Sequence, residues 1–159
     1  MATFYFDSSG LVKHYIPERG SAWVTDLIDA GTQIGDWQHD VIFAKIGIVG
    51  VAAAVAKRQR MGDITLGQQR RFVARFLKDC SDRFTTLRTN DALIRFATDL
   101  TQHHPLRGYD AVHLAAALTL NTALLRKELP PLVFISADNT LCQAALVEGL
   151  AVENPNAHK

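Results

Sequence analysis

The stretches 3–6, TFYF, and 132–136, LVFIS, are short and almost wholly apolar, and each gives way within two residues to a carboxylate, Asp7 or Asp138. A strand buried on one face alternates apolar with polar residues. A run that is apolar throughout is buried on both faces, as in a parallel sheet covered by helices on each side. Ligands of such sheets gather outside the carboxyl ends of the strands, which places Asp7 and Asp138 at one rim. A bare charge at the end of a buried strand is costly unless something pairs with it, so two acids at one rim call for a cation or a proton.

The segments between these runs read as helices. Ser8 or Ser9 can cap a helix running to about Ile16, where Pro17 ends it. A second helix is expected over 21–30, stopped by Gly31, and residues 36–43 read as a loop or a short strand. The pattern over 46–60 is helical and ends in the basic AKRQR, which suits the negative end of the helix dipole. Another helix spans 65–82, with Phe72, Phe76 and Leu77 assigned to its inner face and Arg70, Arg71, Arg75 and Lys78 to its outer one. FTTLR at 84–88 is a strand candidate, and Leu93, Phe96, Ala97 and Leu100 repeat at helical spacing. HHPLRG breaks that pattern. A long, mostly buried helix follows from about 108, then the LVFIS strand, a helix over 139–148 closed by Gly149, and a short strand near AVEN.

At 159 residues with 48% hydrophobic content, a single domain over 1–159 is expected. The net charge of +1 neither demands nor excludes nucleic acid, so any such binding must come from a local patch. Cys80 and Cys142 lack a metal-ligand spacing and read as reduced thiols of a cytoplasmic protein. The opening residues lack the pattern of a secretory signal. The longest apolar stretch, 41–56, is broken by Lys45 and falls short of a membrane span, so no membrane association is expected.

Asp110 is the third acid of interest, set near a helix start among Leu, Ala, Val and His113. Hard divalent ions such as Mg²⁺ or Mn²⁺ take carboxylate oxygens and keep waters for a substrate phosphate. Each acid also has a plainer reading. Asp110 suits a helix N-terminus, Asp138 before Asn139 and Thr140 suits a cap, and DSSG suits a turn. It is their combination that points to a site. No G-x-G-x-x-G or Walker-type loop is present. A phosphatase of the haloacid dehalogenase type would want a second Asp at position 9, which is Ser9. His103 and His104 read as an exposed loop pair, and His113 as helix packing.

The segments FYFDSSGLVKHYIPERGSAWV, LRGYDAVHLAAAL and VFISADNTLCQAALVEGLAVENP, in that order, resemble the PIN-domain family, in particular VapC-type toxins. The resemblance covers nearly the whole chain. It implies a three-layer α/β/α sandwich around a mainly parallel sheet and a Mg²⁺- or Mn²⁺-dependent endoribonuclease. Its acids match Asp7, Asp110 and Asp138, both as metal ligands and as catalytic residues. It also implies an RNA substrate, a cognate antitoxin and a homodimer.

The chain departs from the family at one acid. Where the pattern reads E-V-x-A-A-L-A-R this sequence has GVAAAVAKR, with Gly50 in place of the glutamate. Asp36 and Asp40 lie upstream in non-matching contexts and are not substitutes. With one acid missing, reduced activity is expected, and a catalytically inactive module that binds RNA or a protein partner is the alternative. The basic groups at 57–60 and 68–71 are candidates to track an RNA backbone, although most suit a solvated helix face.

Overall fold

A computed structural model describes residues 2–30 and 39–159. Five strands, β1 (Ala2–Phe6), β2 (His39–Ala44), β3 (Thr85–Leu87), β4 (Val133–Ile135) and β5 (Ala151–Glu153), form one sheet in the order β3-β2-β1-β4-β5. Every pairing is parallel, with Phe4, Tyr5 and Phe6 of β1 beside Val133, Phe134 and Ile135 of β4. The apolar runs are therefore the two central neighbours of the sheet. The helices are α1 (Ser8–Leu11), α2 (Ser21–Asp29), α3 (Gly47–Arg60), α4 (Leu66–Asp82), α5 (Asp91–His103), α6 (Gly108–Arg126) and α7 (Asn139–Val147).

Alternation along the strands divides the core in two. Tyr5, Ala44 and Phe134 pack on one side with α5, α6 and α7. Phe6, Val41, Phe43 and Ile135 pack on the other with α1 to α4. Three layers result, as continuous apolar strands require. The firmest helix expectations hold: α5 buries Leu93, Ala97 and Leu100, and Gly149 adopts φ 92° just beyond α7, a conformation that favours glycine. Among the described residues no helix is long and apolar enough to cross a membrane.

Several expectations are corrected. The cap of the first helix is Asp7 itself, and that helix is one short turn followed by a 3-10 turn over Val12–His14. Leu77 faces outward at 46% exposure, while Phe76 is buried and Phe72 partly so. The inner face of α4 instead includes Asp79, which accepts a 2.7 Å bond from the Tyr15 hydroxyl. His104 does not sit in an exposed loop: its side chain is only 10% exposed and bonds Glu148. The expected stop at Gly31, and the part of 36–43 before β2, lie outside the described residues.

Gly47 is the first residue of α3 and not an interior one. A Cβ there would stand 3.0 Å from His113 Cε1 and 3.1 Å from Phe43 Cδ2, rings belonging to two buried side chains. Neither ring can retreat without disturbing the core. Gly47→Ala is expected to cost about 1–3 kcal/mol of overpacking strain, measurable as a lowered urea midpoint; an unchanged midpoint would show that this approach is not tight.

Candidate active site

The parallel sheet brings Asp7 and Asp138 to one edge because β1 and β4 each hand over to a helix there, and the start of α6, which follows α5, adds Asp110. Asp7 leaves β1 and caps α1, accepting a 2.8 Å bond from the Gly10 amide. Asp138 lies three residues beyond β4 and caps α7, accepting from the Leu141 amide at 3.0 Å. Asp110 stands in the first turn of α6. The plain readings of Asp138 as a cap and Asp110 as a helix-start charge are thus correct locally, while Asp7 caps a helix where a turn was expected; none of these roles competes with the site reading. A cleft of about 700 Å³ is lined by Asp7, Asp110 and Asp138 together with Gly50. Lys57, Arg107 and Ser8 also line it.

Asp7 is 3% exposed and carries most of the electrostatic tension. Ser9 Oγ lies 2.8 Å from both of its carboxylate oxygens, and Ser136 Oγ donates to Oδ2 at 2.8 Å. Both hydroxyls are held in place by accepting backbone amides, Ser9 from Ala137 and Ser136 from Asp138. Burial raises the Asp7 pKa to about 6 against these stabilising bonds, and the negative charge of Asp110 pushes it the same way. The rim thus resists its own negative charge.

Arg107 answers part of that charge. Its Nε donates to Asp110 Oδ2 at 3.1 Å, and its Nη2 lies 3.6 Å from Asp138 Oδ2. The guanidinium pKa is raised, first by the bond to Asp110. The side chain is 83% exposed, so the pairing is weak and exchangeable.

An all-carboxylate donor set has the chemistry a hard divalent ion takes, and the Arg107 guanidinium now stands between two of its members. Among the described residues, however, no three His, Cys, Asp or Glu side chains stand close enough to grip one ion. Loading would require the acids to close in as Arg107 withdraws. The missing fourth acid coincides with the cleft wall. Gly50 lies in the first turn of α3, and a Cβ there would collide with Ser8 Oγ and stand 3.1 Å from Ser8 Cβ.

His113 is buried in the wall, and its role is structural. The Tyr5 hydroxyl accepts from the Ala44 amide at 3.0 Å and lies 2.9 Å from His113 Nδ1. Giving the phenolic proton to Nδ1 satisfies both buried groups and leaves the imidazole proton on Nε2, where Ser8 Oγ stands 3.5 Å away. That tautomer cannot take a proton from Ser8, so the pair is no nucleophilic dyad. Burial lowers the His113 pKa to about 4 and keeps the ring neutral at ordinary pH.

Sequence reasoning did not anticipate Ser9, Ser136 or Arg107 as parts of the site. The i, i+3 spacing of Arg107 and Asp110 was the available signal for the last of these. Of the upstream acids set aside, Asp40 lies exposed on β2 and does not line the cleft. Asp36 lies outside the described residues.

No protein-family model matches the sequence, and no curated protein matches it. Solved structures do match its architecture. A toxin-antitoxin complex from Klebsiella pneumoniae aligns at 17% identity and TM-score 0.54 over 98% of each chain. FitAcB from Neisseria gonorrhoeae aligns at 14% identity and TM-score 0.54, over 96% of this chain and 97% of that one. Likeness at these identities is a likeness of fold, and five parallel strands in the order β3-β2-β1-β4-β5 between two helical layers constitute the PIN-like α/β/α architecture expected from the sequence.

Proposed function

We propose that the cleft is the site of a Mg²⁺- or Mn²⁺-dependent endoribonuclease of reduced activity, with Asp7, Asp110 and Asp138 as its ligands and catalytic residues. The observation that carries this reading is that all three acids line one cleft with Lys57 and Arg107 at the carboxyl edge of the sheet. A divalent ion bound there would polarise a phosphate and lower the pKa of a coordinated water.

The chain's own residues would divide the remaining work. Arg107 supplies positive charge for a phosphodiester, since it can exchange its exposed carboxylate partners for phosphate oxygens. Ser9 and Ser136 fix the Asp7 carboxylate in one orientation. No general acid is needed from His113, which is neutral. Gly50 leaves one ligand fewer than the family pattern, so a second ion would be held weakly. As a toxin of this type the protein would work in the cytoplasm, form a homodimer and be covered by a cognate antitoxin.

Calorimetric titration with Mn²⁺ tests the ligand set directly. One ion per chain is expected for the wild type, with at least a tenfold loss of affinity, about 1.4 kcal/mol, in Asp138→Asn. Equal affinity in both proteins would remove Asp138 from the site.

A second reading, a catalytically silent module that binds RNA or a protein partner, is favoured by Gly50 and by the guanidinium lying between two of the acids. It predicts no Mn²⁺ binding in the millimolar range.

A further inference from the structure

A second cavity, of about 560 Å³, opens beside the acidic cleft between the 3-10 turn at Val12–His14, α3 and the C-terminal segment. The two spaces share Ser9, Ala54 and Lys57. Four cations line the second one, Lys13, Arg19, Lys57 and Arg58, against the single acid Glu18. That is a strong local concentration on a chain whose net charge is only +1.

The four cations are not equivalent. Lys13 is 5% exposed, and its ammonium donates to Glu18 at 2.9 Å and to the Arg19 carbonyl at 2.8 Å. Arg58 is held by Glu18 at 2.7 Å and by Asp63 at 2.8 Å. These two form the fixed wall. The exposed side chains of Lys57 and Arg19 make no ion pair among the described residues. Lys57 occupies the point where the basic groove meets the acids.

We propose that this groove is the path of a single-stranded RNA flank, with Lys57 and Arg19 each neutralising a backbone phosphate adjacent to the one presented to Asp7, Asp110 and Asp138. The assignment deepens, and rests on, the reading of the cleft as a phosphodiester site. A strand with one negative charge per nucleotide suits a basic groove continuous with a cleft where a cation would engage the reacting phosphate. Such contacts hold the strand without choosing its sequence. Only part of the basic sequence serves this role: Arg75 lies instead over the Tyr15 ring, and Lys78 pairs with Asp82.

The test is fluorescence anisotropy of a short labelled single-stranded RNA against the full chain, with chelator present so that neither metal nor cleavage contributes. Lys57→Gln and Arg19→Gln are each expected to weaken binding several-fold at low salt. Each should also reduce the slope of log K against log salt by about 0.7, one phosphate contact on a single strand. Arg126→Gln, about 24 Å along the α6 axis from Asp110 at the rise of an α-helix, is expected to change neither quantity. Both groove side chains are exposed, so loss of folding does not mimic the effect; equal urea midpoints verify it.

Unchanged slopes in both groove variants, absence of RNA binding by the wild type, or stronger binding of a polyglutamate peptide than of the RNA would overturn the assignment. RNA that binds with the predicted slopes but is never cut would leave the groove standing and sink the nuclease. RNA that is cut while both slopes stay unchanged would do the reverse.

Discussion

Asp7→Asn is expected to raise the stability of the metal-free protein at pH 7, by an amount approaching 3 kcal/mol, and to make the fold newly acid-labile. The magnitude comes from the Asp7 pKa, raised from 3.8 to about 6 by burial, and from about 1.4 kcal/mol for each unit of such a shift. Because the folded state holds the proton more tightly than the unfolded chain, ionisation progressively destabilises the fold as pH rises from about 3.8 to about 6. Asparagine removes that charge while its carbonyl oxygen can still accept from the Gly10 amide.

His113 acts in the opposite sense. Burial lowers its pKa from 6.5 to about 4, so acidification through that window protonates the unfolded chain first and costs the fold about 3 kcal/mol. In the wild type the two groups nearly offset one another between about pH 4 and 6. Asp7→Asn strips away one of them and exposes the other. Urea unfolding in chelator across this range reads both effects. A variant less stable than wild type at pH 7 would show that the bonds from Ser9, Ser136 and Gly10 outweigh the burial of the charge. Added Mn²⁺ should then stabilise the wild type more than the variant, since the ion supplies the countercharge only the carboxylate needs.

Gly50→Glu carries the largest expected gain of activity. It places a carboxylate at the family position in the cleft wall, and at least a tenfold rise in RNA cleavage is expected, about 1.4 kcal/mol of barrier. Sterics set the condition. The new Cβ meets Ser8 Oγ, whose only bonds among the described residues are long ones, 3.4 Å to the Gly47 carbonyl and 3.5 Å to His113 Nε2. Rotation of that hydroxyl is cheap and Ser8→Ala removes it, which leaves the 3.1 Å approach to the Ser8 Cβ to be relieved by a shift of a few tenths of an ångström. The double variant should match or exceed the single one, while Ser8→Ala alone should gain nothing. A double variant that folds with wild-type stability and shows no gain would mean that a fourth carboxylate is not what limits the site.

The central strands and the rim acids were legible because burial on both faces leaves a period-free apolar run, and parallel strands all end at the same edge. Strand β2 was legible only as one of two readings, a loop or a short strand, since HDVIFA opens with two polar residues and its apolar run VIFA is short. Leu77 was misplaced because α4 buries a narrow stripe at Phe76 and Asp79, flanked by the half-buried Phe72, Val73 and Cys80. The stripe's polar member, Asp79, is held by the Tyr15 hydroxyl, a partner 64 residues away, and by Arg83 at 3.7 Å. Asp7 was read as a charge in search of a cation, whereas half of its answer is local: it is the cap of its own helix. Arg107 escaped notice because its weak, exposed pairings span α6 and α7. Gly50 was visible only through the family resemblance; the structure adds that Ser8 occupies the space beside it.

The most direct test of the three-acid site is cleavage of a mixed RNA pool by the purified chain with Mn²⁺, run beside Asp110→Asn. Slow cleavage by the wild type, abolished in the variant and by chelator, is the predicted result. No cleavage by a folded wild type at saturating Mn²⁺, or cleavage that survives Asp110→Asn, would contradict it.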